Sequence, residues 1–160
     1  MQETKEYISF YDFCAFLLSE KENYAALAPP LNEQLPLNDY YCYSSHNTYL
    51  TGNQLTSDCK IERYIEDLEG GLKCVELDVH NDTDKHRPII THAIEDKSLC
   101  KPIDFEETIE EISRFCKKHP DHYPIILSIE NHAKEENRYK MFNYLNRNFD
   151  NALLLLTDPN

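Results

Sequence analysis

Apolar and polar positions change period several times along the chain, and each change marks an element. Residues 7–18 (YISFYDFCAFLL) place Phe13, Phe16 and Leu17 at helical spacing, and Ser9 with Asp12 forms a capping box. This predicts a helix. Pro29, Pro30 and Pro36 then punctuate a stretch without periodicity. Beyond it four short runs read as strands: 39–45 (DYYCYSS), 72–79 (LKCVELDV), 88–91 (PIIT) and 124–129 (PIILSI). Helical segments separate them. One runs from about Ser57 to the stop at Gly70-Gly71. Another covers Asp104 to Lys118, with Asp104 and Glu107 as a capping box and Ile109, Ile112 and Phe115 as its stripe. A third spans Ala133 to Asn148, and Leu153–Leu156 predicts the start of a further strand. Alternation of this kind predicts an α/β fold with a parallel sheet and flanking helices, preceded by a short helical segment.

Composition narrows the function. Hydrophobic residues make up 41% and charged residues 28%, enough apolar surface for a packed core. Lys plus Arg is 16 against 29 Asp plus Glu, a net charge of −13. Such a chain repels phosphate backbones, which argues against nucleic acid as a partner. Three glycines leave no glycine-rich phosphate loop, so neither a P-loop nor a dinucleotide site is expected. Cys14, Cys42, Cys59, Cys74, Cys100 and Cys116 are scattered without a CxxC pair, so no thiolate metal site is expected. The N-terminus has no basic start followed by an apolar stretch, and the longest aliphatic run, 152–156, is far too short to cross a bilayer. The expectation is a cytoplasmic chain with reduced thiols and no transmembrane segment, acting at a membrane only from its surface. At 160 residues the chain is one domain long, well short of the roughly 250 residues of a complete (β/α)8 barrel.

Chemistry gathers at the strand ends. His46 and Asn47 follow the first run, Glu76 and Asp78 lie in the second, His92 follows the third, and Glu130 follows the fourth. In α/β sheets and barrels that edge is where sites are built. Glu76 and Asp78 are two apart on a strand and project from one face, leaving Val75, Leu77 and Val79 to pack the other. Two converging carboxylates need a cation or a proton between them. With Glu130 and the Asn47 amide they make an all-oxygen donor set, which suits calcium or magnesium and not zinc. A divalent cation flanked by two histidines suits phosphoryl chemistry. His80, His86, His119, His122 and His132 have no such support and read as surface or outer-layer residues.

Four blocks carry a resemblance. Ser44-Ser-His-Asn-Thr-Tyr-Leu50, Gly71-Leu-Lys-Cys-Val-Glu-Leu-Asp78, Pro88-Ile-Ile-Thr-His92 and Ile125-Ile-Leu-Ser-Ile-Glu-Asn-His132 resemble, in order, the signature blocks of the X region of eukaryotic phosphoinositide-specific phospholipase C. Residues 1–30 resemble the end of the EF-hand region that precedes X, without an Asp-x-Asp-x-Asp-Gly calcium loop. Residues 31–36 read as a linker, and 37–160 as the X-like portion. The resemblance implies the first half of a TIM-type (β/α) barrel, completed by a later Y region supplied in cis or in trans.

It also implies an activity: calcium-dependent cleavage of phosphatidylinositol phosphates to diacylglycerol and inositol phosphate. Asn47, Glu76, Asp78 and Glu130 match the calcium ligands, and His46 and His92 match the catalytic histidines. By the same resemblance, the inositol 2-hydroxyl attacks phosphorus after losing its proton to a carboxylate, for which Glu76 is the candidate. His92 then protonates the departing oxygen while His46 stabilises developing charge, and water opens the cyclic product. Two positions depart from the family pattern: Val79-His-Asn-Asp82 stands where a Cys-Trp-Asp-Gly-like run is usual, and Ala93 stands where glycine is usual. The competing reading is a binding module that keeps the ligands without turnover. A calcium buffer is disfavoured, since the donors lack a dense local loop. The acidic chain also has no polybasic cluster for docking on anionic lipid.

Overall fold

A computed structural model describes residues 7–19, 21–23, 32–82, 84–94, 97–98 and 100–153. The chain divides into two compact units, Met1–Tyr40 and Tyr41–Asn160. In the first, helix α1 (Phe10–Leu18) starts where the capping box placed it. Ser9 Oγ accepts the Asp12 N–H at 3.1 Å, and its hydroxyl donates to Asp12 Oδ2. None of the helix is buried, so Phe13, Phe16 and Leu17 stay exposed. A 3-10 turn follows at Leu37–Asp39.

The second unit is built on a sheet. Its strands are β1 (Cys74–Asp82), β2 (Arg87–Ile90), β5 (Ile103–Asp104) and β6 (Ile126–Asn131), in the order β5-β2-β1-β6. A separate two-stranded ribbon pairs β3 (Ala93–Ile94) with β4 (Lys97–Ser98). Strand β1 is parallel to β6 from Cys74↔Ile126 to Val79↔Asn131 and antiparallel to β2 from Val79↔Ile90 to Asp82↔Arg87. The sheet is therefore mixed, which corrects the expected parallel arrangement. The reason is the connection. Residues 83–86 are far fewer than the dozen or more a parallel crossover needs, so β1 and β2 must form a hairpin. Asp82 Oδ1 shapes its start by accepting the N–H groups of Asp84 and Lys85, each at 3.1 Å.

The strand expected at 39–45 is also corrected. It contributes one parallel bridge, Ser44↔Cys74, flanked by Lys73 N–H to the Tyr43 carbonyl at 2.8 Å and Ser45 N–H to the Cys74 carbonyl at 2.9 Å. Tyr41 and Tyr43 are exposed, so no buried face holds the run in a longer ladder.

Helix α2 (Glu62–Glu69) starts later than Ser57, because Cys59 is first held in an antiparallel bridge to Leu50 and Lys60 N–H donates to the Tyr49 carbonyl at 2.8 Å. It stops as expected: Gly71 takes φ +96°, open only to a residue without a Cβ at low cost. Helix α3 (Phe105–Lys118) is capped by Asp104, whose carboxylate accepts the Glu107 N–H at 3.1 Å. It buries Ile109, Ile112 and Phe115, the predicted stripe, together with Phe105, Thr108 and Ser113. Helix α4 (Glu135–Phe149) buries Met141. Of the strand expected at 153–156, all but Leu153 lies outside the described residues.

The core joins Val75, Leu77 and Val79 of β1 to Ile90, Tyr64, Leu68, Phe105, Ile109 and Ile112. Each fully buried aliphatic side chain contributes about 1.5–3 kcal/mol. That packing holds β1 rigid, and β1 carries the site.

Candidate active site

The register of β1 and β6 sets the site. Glu76 stands opposite Ser128 and Asp78 opposite Glu130, so both pairs share one sheet face, with Val75, Leu77 and Val79 on the other. Glu76 and Asp78 lie inside β1, as the second run predicted, whereas Glu130, expected just after the fourth run, lies inside β6. His92 arrives by the hairpin: β2 runs back along β1, and Thr91 N–H donates to the Asp78 carbonyl at 3.2 Å, placing His92 next in the chain. An antiparallel strand thus delivers the residue that a parallel one was expected to carry.

Asn47 comes from the turn after Ser44–His46. It takes φ +50°, a left-handed conformation asparagine tolerates, and Leu50 N–H closes the turn on its carbonyl at 3.0 Å. That turn aims the Asn47 N–H at Glu76 Oε2, 2.6 Å away. The Tyr49 hydroxyl lies 2.8 Å from Asn47 Oδ1 and 2.5 Å from Asp78 Oδ2. Thr48 Oγ1 accepts the Glu76 N–H at 2.9 Å, and the Tyr64 hydroxyl donates to the Glu76 carbonyl at 2.8 Å. Asn47, Glu76 and Asp78 therefore form one group, with the Asn47 N–H bonded to Glu76 and the single Tyr49 hydroxyl hydrogen within reach of both Asn47 Oδ1 and Asp78 Oδ2.

The remaining residues flank it. His46 Nε2 lies 3.9 Å from Glu76 Oε2 and is largely exposed. His92 is half-buried, and its Nδ1 is buried without a hydrogen-bond partner. Glu130 is exposed, with Oε2 3.3 Å from His132 Nε2, and His132 stacks on His80 with ring centroids 4.5 Å apart. Burial pushes the Asp78 carboxyl up from its ordinary range. Glu76 and Glu130 add to this, while the Tyr49 hydrogen bond and His92 oppose it. Burial, with Asp78 beside it, raises Tyr49 as well.

Among the described residues, no group of three or more His, Cys, Asp or Glu side chains sits close enough to hold a metal ion. The chemistry of the group nevertheless fits a hard cation. Asp78 Oδ1 is buried with no hydrogen-bond partner, beside a second carboxylate and an amide oxygen. An orphaned carboxylate oxygen costs free energy that a cation would offset. Asn47, Glu76 and Asp78 could hold such an ion, with Glu130 reaching it from the adjoining strand.

The model of the phosphatidylinositol-specific phospholipase C, X domain, matches residues 33–160. The chain belongs to that family. Human 1-phosphatidylinositol 4,5-bisphosphate phosphodiesterase beta-4 is 36% identical over 94% of this chain and 13% of its own length. The zebrafish (Danio rerio) delta-3-A enzyme of the same name is 48% identical over 63% of this chain and 12% of its own length. A crystal structure of S. officinalis PLC21 superposes with a TM-score of 0.72 at 36% identity, covering 92% of this chain and 19% of that one. The X-domain chain thus spans less than a fifth of these relatives.

The X-domain framework absorbs both sequence departures. Val79 is fully buried, and His80 to Asp82 continue β1 into the hairpin, with Asn81 Oδ1 accepting the Lys134 N–H at 2.9 Å. Ala93 lies in β3, in extended backbone that requires no glycine. Sequence reasoning missed Thr48, Tyr49 and Tyr64. The first two stand inside the SSHNTYL block, and an aromatic with a polar tip beside a proposed ligand was the available signal. His132 was read as an outer residue, and its contact with Glu130 gives that position a partner.

Proposed function

We propose that this chain is the calcium-dependent catalytic half of a phosphoinositide phospholipase C, forming the first half of a (β/α) barrel that a Y-region half completes in cis or in trans. One observation carries the reading: the buried, partnerless Asp78 Oδ1 beside Glu76 and Asn47, with His46 and His92 on its flanks. Calcium held by Asn47, Glu76, Asp78 and Glu130 would neutralise phosphate charge and acidify the inositol 2-hydroxyl. Glu76, held in place by the Asn47 N–H, takes that hydroxyl's proton. His92 hands a proton to the departing diacylglycerol oxygen, and His46 places its ring beside the charge developing on the phosphoryl oxygens. Water then opens the cyclic phosphate with the proton transfers reversed. The substrate is a phosphatidylinositol phosphate headgroup, and the chain acts at the cytoplasmic membrane surface. Among the described residues no helix is long and apolar enough to cross a membrane.

The test mixes the purified chain with a separately expressed Y-region half and vesicles containing phosphatidylinositol 4,5-bisphosphate, with calcium or with chelator. Calcium-dependent release of inositol phosphate from the mixture, with little from the chain alone, is the expected result. Calcium binding without release by the mixture would instead favour a binding module, and neither binding nor release would overturn the reading.

A further inference from the structure

We infer that Tyr49 is a positioning residue for the cation, its hydroxyl donating to Asp78 Oδ2 beside the Asn47 amide oxygen so that Asp78 Oδ1 is left to face the ion. The inference rests on the calcium reading above and adds a residue to it. Tyr49 is fully buried, and its main chain is anchored by Lys60 N–H donating to its carbonyl at 2.8 Å. The phenol tip therefore stands on a rigid base. A hydroxyl has one hydrogen, and two oxygens lie within its reach: Asp78 Oδ2 at 2.5 Å and Asn47 Oδ1 at 2.8 Å. The shorter contact is in the range of a charge-assisted bond to a carboxylate. It occupies Oδ2 and leaves Oδ1, which has no partner, as the free donor of that carboxylate.

A packing role alone does not account for this. Tyr64 is equally buried, yet its hydroxyl is satisfied by a single main-chain acceptor, the Glu76 carbonyl at 2.8 Å. Tyr64 braces a strand, whereas the Tyr49 hydroxyl stands between two side chains that are both assigned to the ion and donates its one hydrogen to the carboxylate. Partners that orient metal ligands in this way typically account for ten- to a hundredfold in metal affinity.

The contrast supplies the experiment. Calcium titrations by calorimetry compare the full chain with Tyr49→Phe and Tyr64→Phe, each checked by circular dichroism and thermal melting. Tyr49→Phe should bind calcium about tenfold more weakly with unchanged stoichiometry. Tyr64→Phe should lower the melting temperature to a similar extent and leave the affinity as it was. Equal affinity in Tyr49→Phe and the parent overturns the positioning role while leaving the calcium reading in place. A parent chain that releases no calcium-dependent heat overturns both. A second measurement needs no variant: terbium bound to the parent should show emission sensitised by tyrosine excitation and displaced by calcium. Terbium binding without sensitised emission would overturn the inference even if Tyr49→Phe does not fold.

Discussion

Strands β1 and β6 run side by side in one parallel ladder, yet their carboxylates have opposite surroundings. Asp78 is 6% exposed, while the Glu130 side chain across the rung is 62% exposed. Strand β1 has neighbours on both sides, and β6 ends the sheet order. The Asp78 side also receives the turn carrying Asn47 and Tyr49, whereas the Glu130 side meets His132. The site thus has a built half, where geometry is held by packing, and an open half, where an exposed carboxylate meets a histidine. Burial makes the first half precise and also raises the cost of its charges.

The strongest way to break this contrast is in the apolar layer. Leu77→Ala, at a fully buried β1 position, should cost about 3 kcal/mol in urea unfolding. Ile129→Ala, on half-buried β6, should cost less than about half of that. Equal losses would mean that β6 is as deeply packed as β1.

Calcium affinity sharpens the contrast next. Asp78→Asn should weaken binding at least tenfold by calorimetry, because the lost charge faces a preorganised group. Glu130→Gln should weaken it less, because an exposed carboxylate must first leave His132 and be ordered. The reverse ranking would place the ion on the open half.

The smallest effect is one of pH. Burial, with Cys100 adding to it, pushes the Cys59 thiol from 9.0 up to about 11. The folded chain keeps a proton that the unfolded chain loses, so this stabilisation is complete below pH 9 and fades as pH rises toward 11. By pH 9.5 the loss should be under about 1 kcal/mol in unfolding titrations, and Cys59→Ala should flatten the slope. An unchanged slope in that variant would assign it to other groups.

Most of the built half was legible before any fold was known. The x-Glu-x-Asp alternation on an apolar strand placed Glu76 and Asp78 on one face, and Asn47 came with its block. Tyr49 was not legible, because a tyrosine two residues from a ligand reads equally well as core until its hydroxyl is seen between two oxygens. Helix α3 was readable to within a residue, since its cap and stripe are local features. The run at 39–45 was misread because β-like alternation without a buried face does not hold a ladder.

What the sequence determined by itself is the chemistry and the local elements: all-oxygen donors, two histidines, capped helices, and alternating strands. These follow from side-chain identity and short-range periodicity. Tertiary structure alone decided how they meet. The short 83–86 connection turned β2 antiparallel and carried His92 back to Asp78, and the β1–β6 register set Glu130 opposite it. Only packing, by burying one carboxylate and leaving the other in solvent, made the two halves of the site physically unequal.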